Sequence, residues 1–584
     1  MLAHTAVGPF LYGMAHFATC LLALTLGLSA APHLHAQTAP PITAAVPDAL
    51  TARQADNVAA LGQVWGLLKY HHPAVAAGQR DWDAEFRRQL PLVLACRSVT
   101  ERSRLLSAWV ASLGPVPPCA SCAAPPKGEV RLAPNLRWAE NKHRFSAELR
   151  RQLAYIQANR YQGTPYYVGQ LGSTTLFLHE EAYADQPCPP ADLRLLGLCR
   201  YWNMYQYYYP YTYVWQQDWT QVLLDVLPRF AAANTALSYR HAAAALFTRV
   251  HDGHARYYPL DPLLEAERGN YLVAADVQFI DNRAVVTHVR QDGLVPASPL
   301  AAGDVIQQLA GTSVAELVRQ RLPETPGSNL PARLNTIAGN LLFATTPQLT
   351  MQVERAGQPL RLAVPGVRVG TVPAEKPAAA DSTYRFLTPD VGYLDMARLS
   401  YEQTIAAMKT FALTKGIVVD QRNYPAPVFA VLAAHFATHP VPFDTFIQRD
   451  QSCPGRFLWQ PADSVQHGLP VPYAGRVVVL VNEKSRSLAE FTAMACRATP
   501  NCLLLGSQTA GADGNTSKII LPGGLNTLMT GIGIYYPDRG ETQQVGLRLD
   551  VTLRPTVAGI RAGRDELRDR AVELIQRPVA STNY

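Results

Sequence analysis

Residues 475–482 read Gly-Arg-Val-Val-Val-Leu-Val-Asn, with five consecutive aliphatic side chains between Arg476 and Asn482. A run this uniformly apolar suits a strand buried on both faces, as in a mainly parallel sheet covered by helices. After a short polar turn, 483–486, the segment Ser487-Leu-Ala-Glu-Phe-Thr-Ala-Met-Ala-Cys496 has a helical pattern. This strand–turn–helix predicts an α/β fold and singles out Ser487. A hydroxyl there lies beside the free N–H groups of a helix start, which favour developing negative charge. Nucleophiles of other α/β hydrolases occupy such turns. The same residues also fit a structural capping box, Ser487-x-x-Glu490.

The surrounding block, 384–584, alternates strands (391–397, 416–421, 501–506) with helices (404–414, 428–438), as an α/β core does. Gly511-Ala-Asp-Gly514 lacks the Lys and the following helix of a phosphate-binding loop. Upstream, 263–368 reads as a β-rich unit, with Asp281-Asn282 as a hairpin signal between 277–280 and 283–289. An Ala/Pro-rich linker, 369–383, follows it.

In the first half, two segments align at an offset of 137 residues. One has Trp65, Pro73, Asp81-Trp82 and Leu90-Pro91; the other has Trp202, Pro210, Asp218-Trp219 and Leu227-Pro228. The pattern predicts a duplicated helical unit: a helix, an aromatic-Pro turn, an Asp-capped second helix and a helix-ending Leu-Pro. One copy falls in 37–185 and the other in 186–262, ending at Asp252-Gly-His254.

The chain's 584 residues are 48% hydrophobic and 17% charged, the balance of a globular protein. Its net charge of +7 is spread without Lys/Arg blocks, which argues against nucleic-acid binding. The apolar run 17–30 and the Ala-Pro-His-Leu-His-Ala stretch after it predict a signal peptide, 1–36, with no stable membrane insertion. Export to a periplasmic or extracellular compartment favours a disulfide between Cys119 and Cys122 over half a zinc site. Cys188 with Cys199 and Cys496 with Cys502 are further candidate pairs. Neither a metal nor another cofactor is expected, and oligomerisation is left open.

Five motifs in order resemble the C-terminal processing (tail-specific) serine proteases, with the tricorn core proteases as distant relatives. They are Gly303-Asp-Val-Ile, Asp420-Gln-Arg422-Asn423-Tyr-Pro425, the Ser487-Leu-Ala-Glu490 segment, Gly506-Ser-Gln-Thr-Ala-Gly511 and Val545-Gly-Leu-Arg-Leu-Asp550. The resemblance implies a crotonase/ClpP-like protease core, a PDZ-like domain over 263–368, and a serine-type endopeptidase acting on peptides or unfolded proteins. Ser487 falls on the family's nucleophile, while Asn423 and Gly303 fall in substrate-binding motifs.

Two departures stand out. The family's general-base lysine is replaced by Ala512, so the resemblance to the tricorn branch points to His254 as base, oriented by Gln543 or Glu541. Imidazole suits that task, its ordinary pKa of about 6.5 lying near working pH. The family's Gly-Gly is Ala426-Pro427, and Pro427 has no N–H. The expected oxyanion donors are the N–H groups of Leu488 and Ala426. These departures also support an alternative: an inactive peptide-binding or scaffold member of the same fold.

Overall fold

The computed structural model describes residues 46–123, 126–371, 383–468 and 471–577. The expected signal peptide and the middle of the expected linker lie outside them.

The first half is helical: α1 (Ala52–His71), α2 (Trp82–Ala95), α3 (Ala191–Tyr208), α4 (Trp219–Ala232) and α5 (Ala236–Thr248). Helices α1 and α3 are apolar or aromatic around most of their circumference and are buried nearly throughout. They touch at positions equivalent in the two aligned segments. A Cβ on Gly62 would lie 2.3 Å from Cys199 Sγ, and one on Gly66 would lie 1.9 Å from the Asn203 side chain. Asn203 Nδ2 spans the contact, donating to the carbonyls of Gly62 (2.9 Å) and Cys199 (2.8 Å). Each segment also closes on itself through two indoles. Trp65 and Trp82 donate to each other's carbonyls at 2.8 and 3.0 Å, and Trp202 and Trp219 do so at 2.7 and 3.1 Å.

The expected Leu-Pro helix endings are corrected. Pro91 and Pro228 lie inside α2 and α4, which run on past them. Val93, Phe230 and Ala231, beyond the prolines, are fully buried, and this packing outweighs the missing hydrogen bond. Cys119 and Cys122 form a disulfide, whereas Cys188, Cys199, Cys496 and Cys502 are free thiols. Sequence spacing says little about whether two sulfurs meet.

The middle of the chain forms an antiparallel sheet of β1 (Ala275–Ile280), β2 (Arg283–Val289), β3 (Val305–Leu309), β4 (Gln348–Arg355) and β5 (Gln358–Pro365). Its strand order is β5-β4-β3-β2-β1. Asp281 and Asn282 join β1 to β2 with φ of 49° and 61°, the left-handed pair a two-residue hairpin turn needs.

The last block contains β6 (Tyr384–Thr388), β7 (Val391–Asp395), β8 (Gly416–Asp420), β9 (Arg476–Val481), α6 (Leu488–Arg497) and β10 (Cys502–Gly506). The hairpin β11 (Thr516–Leu521) and β12 (Leu525–Thr530), the short β13 (Val551–Thr552) and α7 (Glu566–Gln576) complete it. The sheet order is β6-β7-β8-β9-β10-β13; the first pair is antiparallel and the rest parallel. The valine run of β9 is explained by two covered faces. Val477, Val479 and Val481 pack in the cluster that contains Phe491 and Met494 of α6. Val478 and Leu480 point the other way, against Leu567, Ala571 and Ile575 of α7. The loops after β8 and β9 emerge together at the carboxyl edge of the parallel strands, where open α/β sheets place their sites. Ser485 Oγ ties them by donating to the Gln421 carbonyl at 2.8 Å.

Candidate active site

Ser487 is the N-cap of α6, with φ 55° and ψ −121°. A side chain rarely adopts this backbone shape, and it persists only where the surroundings fix it. Here they do. The Ser487 N–H donates to the Ala512 carbonyl (3.0 Å) and Glu490 Oε2 (3.3 Å), and its carbonyl accepts the first helical bond, from Phe491 N–H (2.9 Å).

Glu490, almost fully buried, fastens the loop after β10 to this turn. Its carboxylate accepts the Thr509 hydroxyl and the N–H groups of Gly511 (2.8 Å) and Ala512 (2.9 Å) as well as Ser487. Burial raises its pKa, although these four donors oppose the shift.

Ala512, where the family lysine would stand, is fully enclosed. The loop carrying His254 closes over its methyl: a Cβ on Gly253 would lie 2.7 Å from the Ala512 Cβ. Gly253 is held by its N–H to Ser328 Oγ (2.7 Å), and its carbonyl accepts Arg486 Nη1 (3.4 Å). The segments bearing His254 and Ser487 are therefore in direct contact.

His254 is buried, with Nδ1 2.9 Å from Thr530 Oγ1 and 3.6 Å from Asp252 Oδ1. The Thr530 hydroxyl donates to Asp252 Oδ1 at 2.8 Å. With its one proton committed there, Thr530 can only accept from the ring. His254 therefore carries its proton on Nδ1, which leaves Nε2 as the basic nitrogen. Asp252 is wholly enclosed and also accepts the N–H groups of His254 (2.9 Å) and Thr530 (2.8 Å) and the Tyr205 hydroxyl (3.4 Å). Burial pushes its pKa up, but the bonds and charge of His254 and the Thr530 N–H outweigh it and hold the carboxyl below its ordinary range.

Asp252 and Thr530 are the residues that sequence reasoning missed. Asp252 lies only two residues from His254, which is close for a residue that orients the ring. An Asx turn, in which its carboxylate accepts the His254 N–H, folds it back against the ring, and Asp-x-His spacing is the signal for it. Thr530 has no comparable signal.

Several expected roles are corrected. Gln543 donates to Tyr209 OH (3.2 Å) and Ser328 Oγ (3.4 Å), and its Oε1 has no partner, so it does not orient His254. Glu541 pairs with Arg131 (3.1 Å) and accepts from Tyr213 OH (2.7 Å) near the surface. The Ala426 N–H is spent on the Met396 carbonyl (2.9 Å), because the loop after β8 turns back along the segment that follows β7. Gly303 (φ 86°) is a buried turn residue whose N–H donates to Val286 and whose carbonyl accepts from Arg561, so neither group is free for a ligand. The Leu488 N–H, at the start of α6, has no acceptor among the described residues. Asn423 is exposed on the loop after β8. Asp420 and Arg422 brace that loop through Asp565.

The site thus sets a serine on a strained strand-to-helix turn, with a buried Asp–Thr–His chain beside it. Residues 390–553 match the family model of peptidase family S41. Among solved structures, mature CPAF complexed with lactacystin is 13% identical, with a TM-score of 0.53 over 66% of this chain and 98% of that one. Mature CPAF alone is 14% identical, with a TM-score of 0.52 over 66% and 97%. A photosystem II D1 C-terminal processing protease is 18% identical, with a TM-score of 0.37 over 64% and 98%. The CPAF likeness is one of fold. None of the curated proteins matches the chain. Among the described residues, no cluster of His, Cys, Asp and Glu could hold a metal, and no helix is long and apolar enough to cross a membrane.

Proposed function

We propose that the protein is an exported serine endopeptidase that cleaves extended polypeptides through Ser487 and His254. The observation that carries this reading is the backbone of Ser487, held at φ 55° beside the unpartnered N–H of Leu488. His254 Nε2 takes the hydroxyl proton as Ser487 Oγ attacks the scissile carbonyl. The Leu488 N–H stabilises the oxyanion, and one such donor is worth about 2.7–4 kcal/mol. Collapse of the tetrahedral intermediate expels the amine, which receives the proton from His254. Water, activated by the same nitrogen, then releases the acyl group. Thr530 and Asp252 hold the ring and offset the imidazolium charge.

The β-rich unit takes the peptide by strand addition, as a PDZ-like domain does. Supporting this, Gln278 on the edge strand β1 donates to Glu483, in the turn leading to Ser487, at 2.7 Å. The duplicated helical half backs the site, and residues 1–36 direct export.

Labelling by a serine-reactive fluorophosphonate tests the reading. The wild-type chain should label on Ser487, Ser487→Ala should not, and His254→Ala should label far more slowly. The engaged Ala426 N–H favours a second reading, a fold that grips peptides without turnover. Absence of any labelling at Ser487 in the folded wild-type chain would support that reading instead.

A further inference from the structure

Arg486 directly precedes the proposed nucleophile, and its guanidinium lies in largely buried surroundings. Among the described residues its Nε is buried without an acceptor, and its Nη1 reaches only the Gly253 carbonyl, at 3.4 Å. Some buried arginines here have carboxylate partners, as Arg102 has Asp56 and Arg200 has Glu180 and Asp83, and others fill their donors with backbone carbonyls, as Arg194 does with those of Pro189, Phe230 and Ala231. The acids facing Arg486 are Glu490 and Asp252. Each already accepts four hydrogen bonds, and neither forms an ion pair with Arg486 among the described residues. A second cation, Arg256, two residues past His254, repels Arg486. Arg256 is exposed; its N–H donates to the His254 carbonyl (2.7 Å), and its guanidinium has no ion pair or hydrogen bond among the described residues. Burial and this repulsion lower the Arg486 pKa to about 10.

A cation withdrawn from water with a donor unmet is unfavourable unless something negative completes it. Taking the serine-peptidase reading as its basis, we propose that Arg486 and Arg256 form a carboxylate-binding subsite beside Ser487. The preferred peptide then presents an anionic group next to the scissile bond, either an acidic side chain or its own C-terminal carboxylate. Two guanidinium forks suit a planar carboxylate, which accepts paired N–H bonds.

The test uses the full chain carrying Ser487→Ala, so that binding is read without turnover. Fluorescein-labelled peptides of one length are compared by anisotropy in two arms, glutamate against glutamine at each position and free against amidated C-terminus. In at least one arm the carboxylate peptide should bind about tenfold tighter or more, and that arm identifies the source. Arg486→Gln should abolish the preference, Arg486→Lys should keep part of it, and Arg256→Gln, at an exposed position that folding tolerates, should weaken it. Equal binding in both arms, absence of binding by the carboxylate peptides, or a preference untouched by Arg256→Gln and Arg486→Gln would overturn the proposal. Fluorophosphonate labelling of the wild-type chain reports on the peptidase reading separately.

Discussion

Replacing Thr530 by valine isolates the link between His254 and Asp252. Valine keeps the shape and β-branching that suit the end of β12. It also retains the N–H that donates to Asp252 at 2.8 Å. What disappears is the hydroxyl 2.9 Å from His254 Nδ1 and 2.8 Å from Asp252 Oδ1. At 3.6 Å, Asp252 Oδ1 is too far to accept the ring proton in its place. In the ground state this leaves a buried donor unmet, a loss of about 1–3 kcal/mol in stability. As Ser487 attacks, the ring becomes a cation and the missing bond a charge-assisted one, worth about 1.5–3 kcal/mol. Because the neutral bond is lost in the ground state as well, only the excess of about 1–1.5 kcal/mol raises the barrier, and the rate should fall about 5- to 13-fold. The assay is the second-order rate of fluorophosphonate labelling, which needs no known substrate, with thermal unfolding as the control for folding. Thr530→Ser, which restores the hydroxyl, should label near the wild-type rate. A folded valine chain labelling within about twofold of wild type would refute the argument that Thr530 orients the base.

Two further substitutions have outcomes fixed by packing and burial. Ala512→Lys puts a long chain where Gly253 already closes on the methyl, so it should lower stability by about 1–3 kcal/mol in urea titration. It should also fail to rescue labelling in His254→Ala; restored labelling would mean that the family's lysine still has room. Asp444 is fully enclosed, and burial, with Asp463 nearby, raises its pKa to about 7. Between the unfolded value, about 3.9, and 7 the folded chain keeps a proton that the unfolded chain releases. Stability from this group is therefore complete at low pH and declines as pH rises through 7, by roughly 4 kcal/mol in all. Asp444→Asn should flatten that slope, raising the urea midpoint at pH 8 far more than at pH 4. A parallel shift at both pH values would count against the assignment.

The core strands and the Ser487 turn were legible in the sequence because burial on two faces leaves an unbroken aliphatic run, as in β8 and β9. The Asp281-Asn282 hairpin was legible because its turn needs residues that tolerate positive φ. Partnerships across the fold were not. Thr530 meets Asp252 from 278 residues away, through a hairpin whose seat depends on α3 and α5. Gln543 and Glu541 were expected from a resemblance along the chain, but position along the chain does not decide which way a loop faces. Ala426 kept its N–H in the sequence and lost it in the fold, because the chain there doubles back on Met396. The prolines of α2 and α4 misled for a related reason: a local breaker yields when the residues beyond it are needed in the core.

The helical half grips the far side of the imidazole. Tyr205 on α3 donates to Asp252, while Arg200 of α3 and Tyr239 of α5 donate to carbonyls of the β11–β12 hairpin that delivers Thr530. Under the proposed mechanism, a fragment beginning at residue 384 would keep Ser487 and lose its base. Whatever loosens those helices would slacken the ring first and leave the strand-borne oxygen in position, so chemical competence becomes a report on the condition of the amino-terminal half.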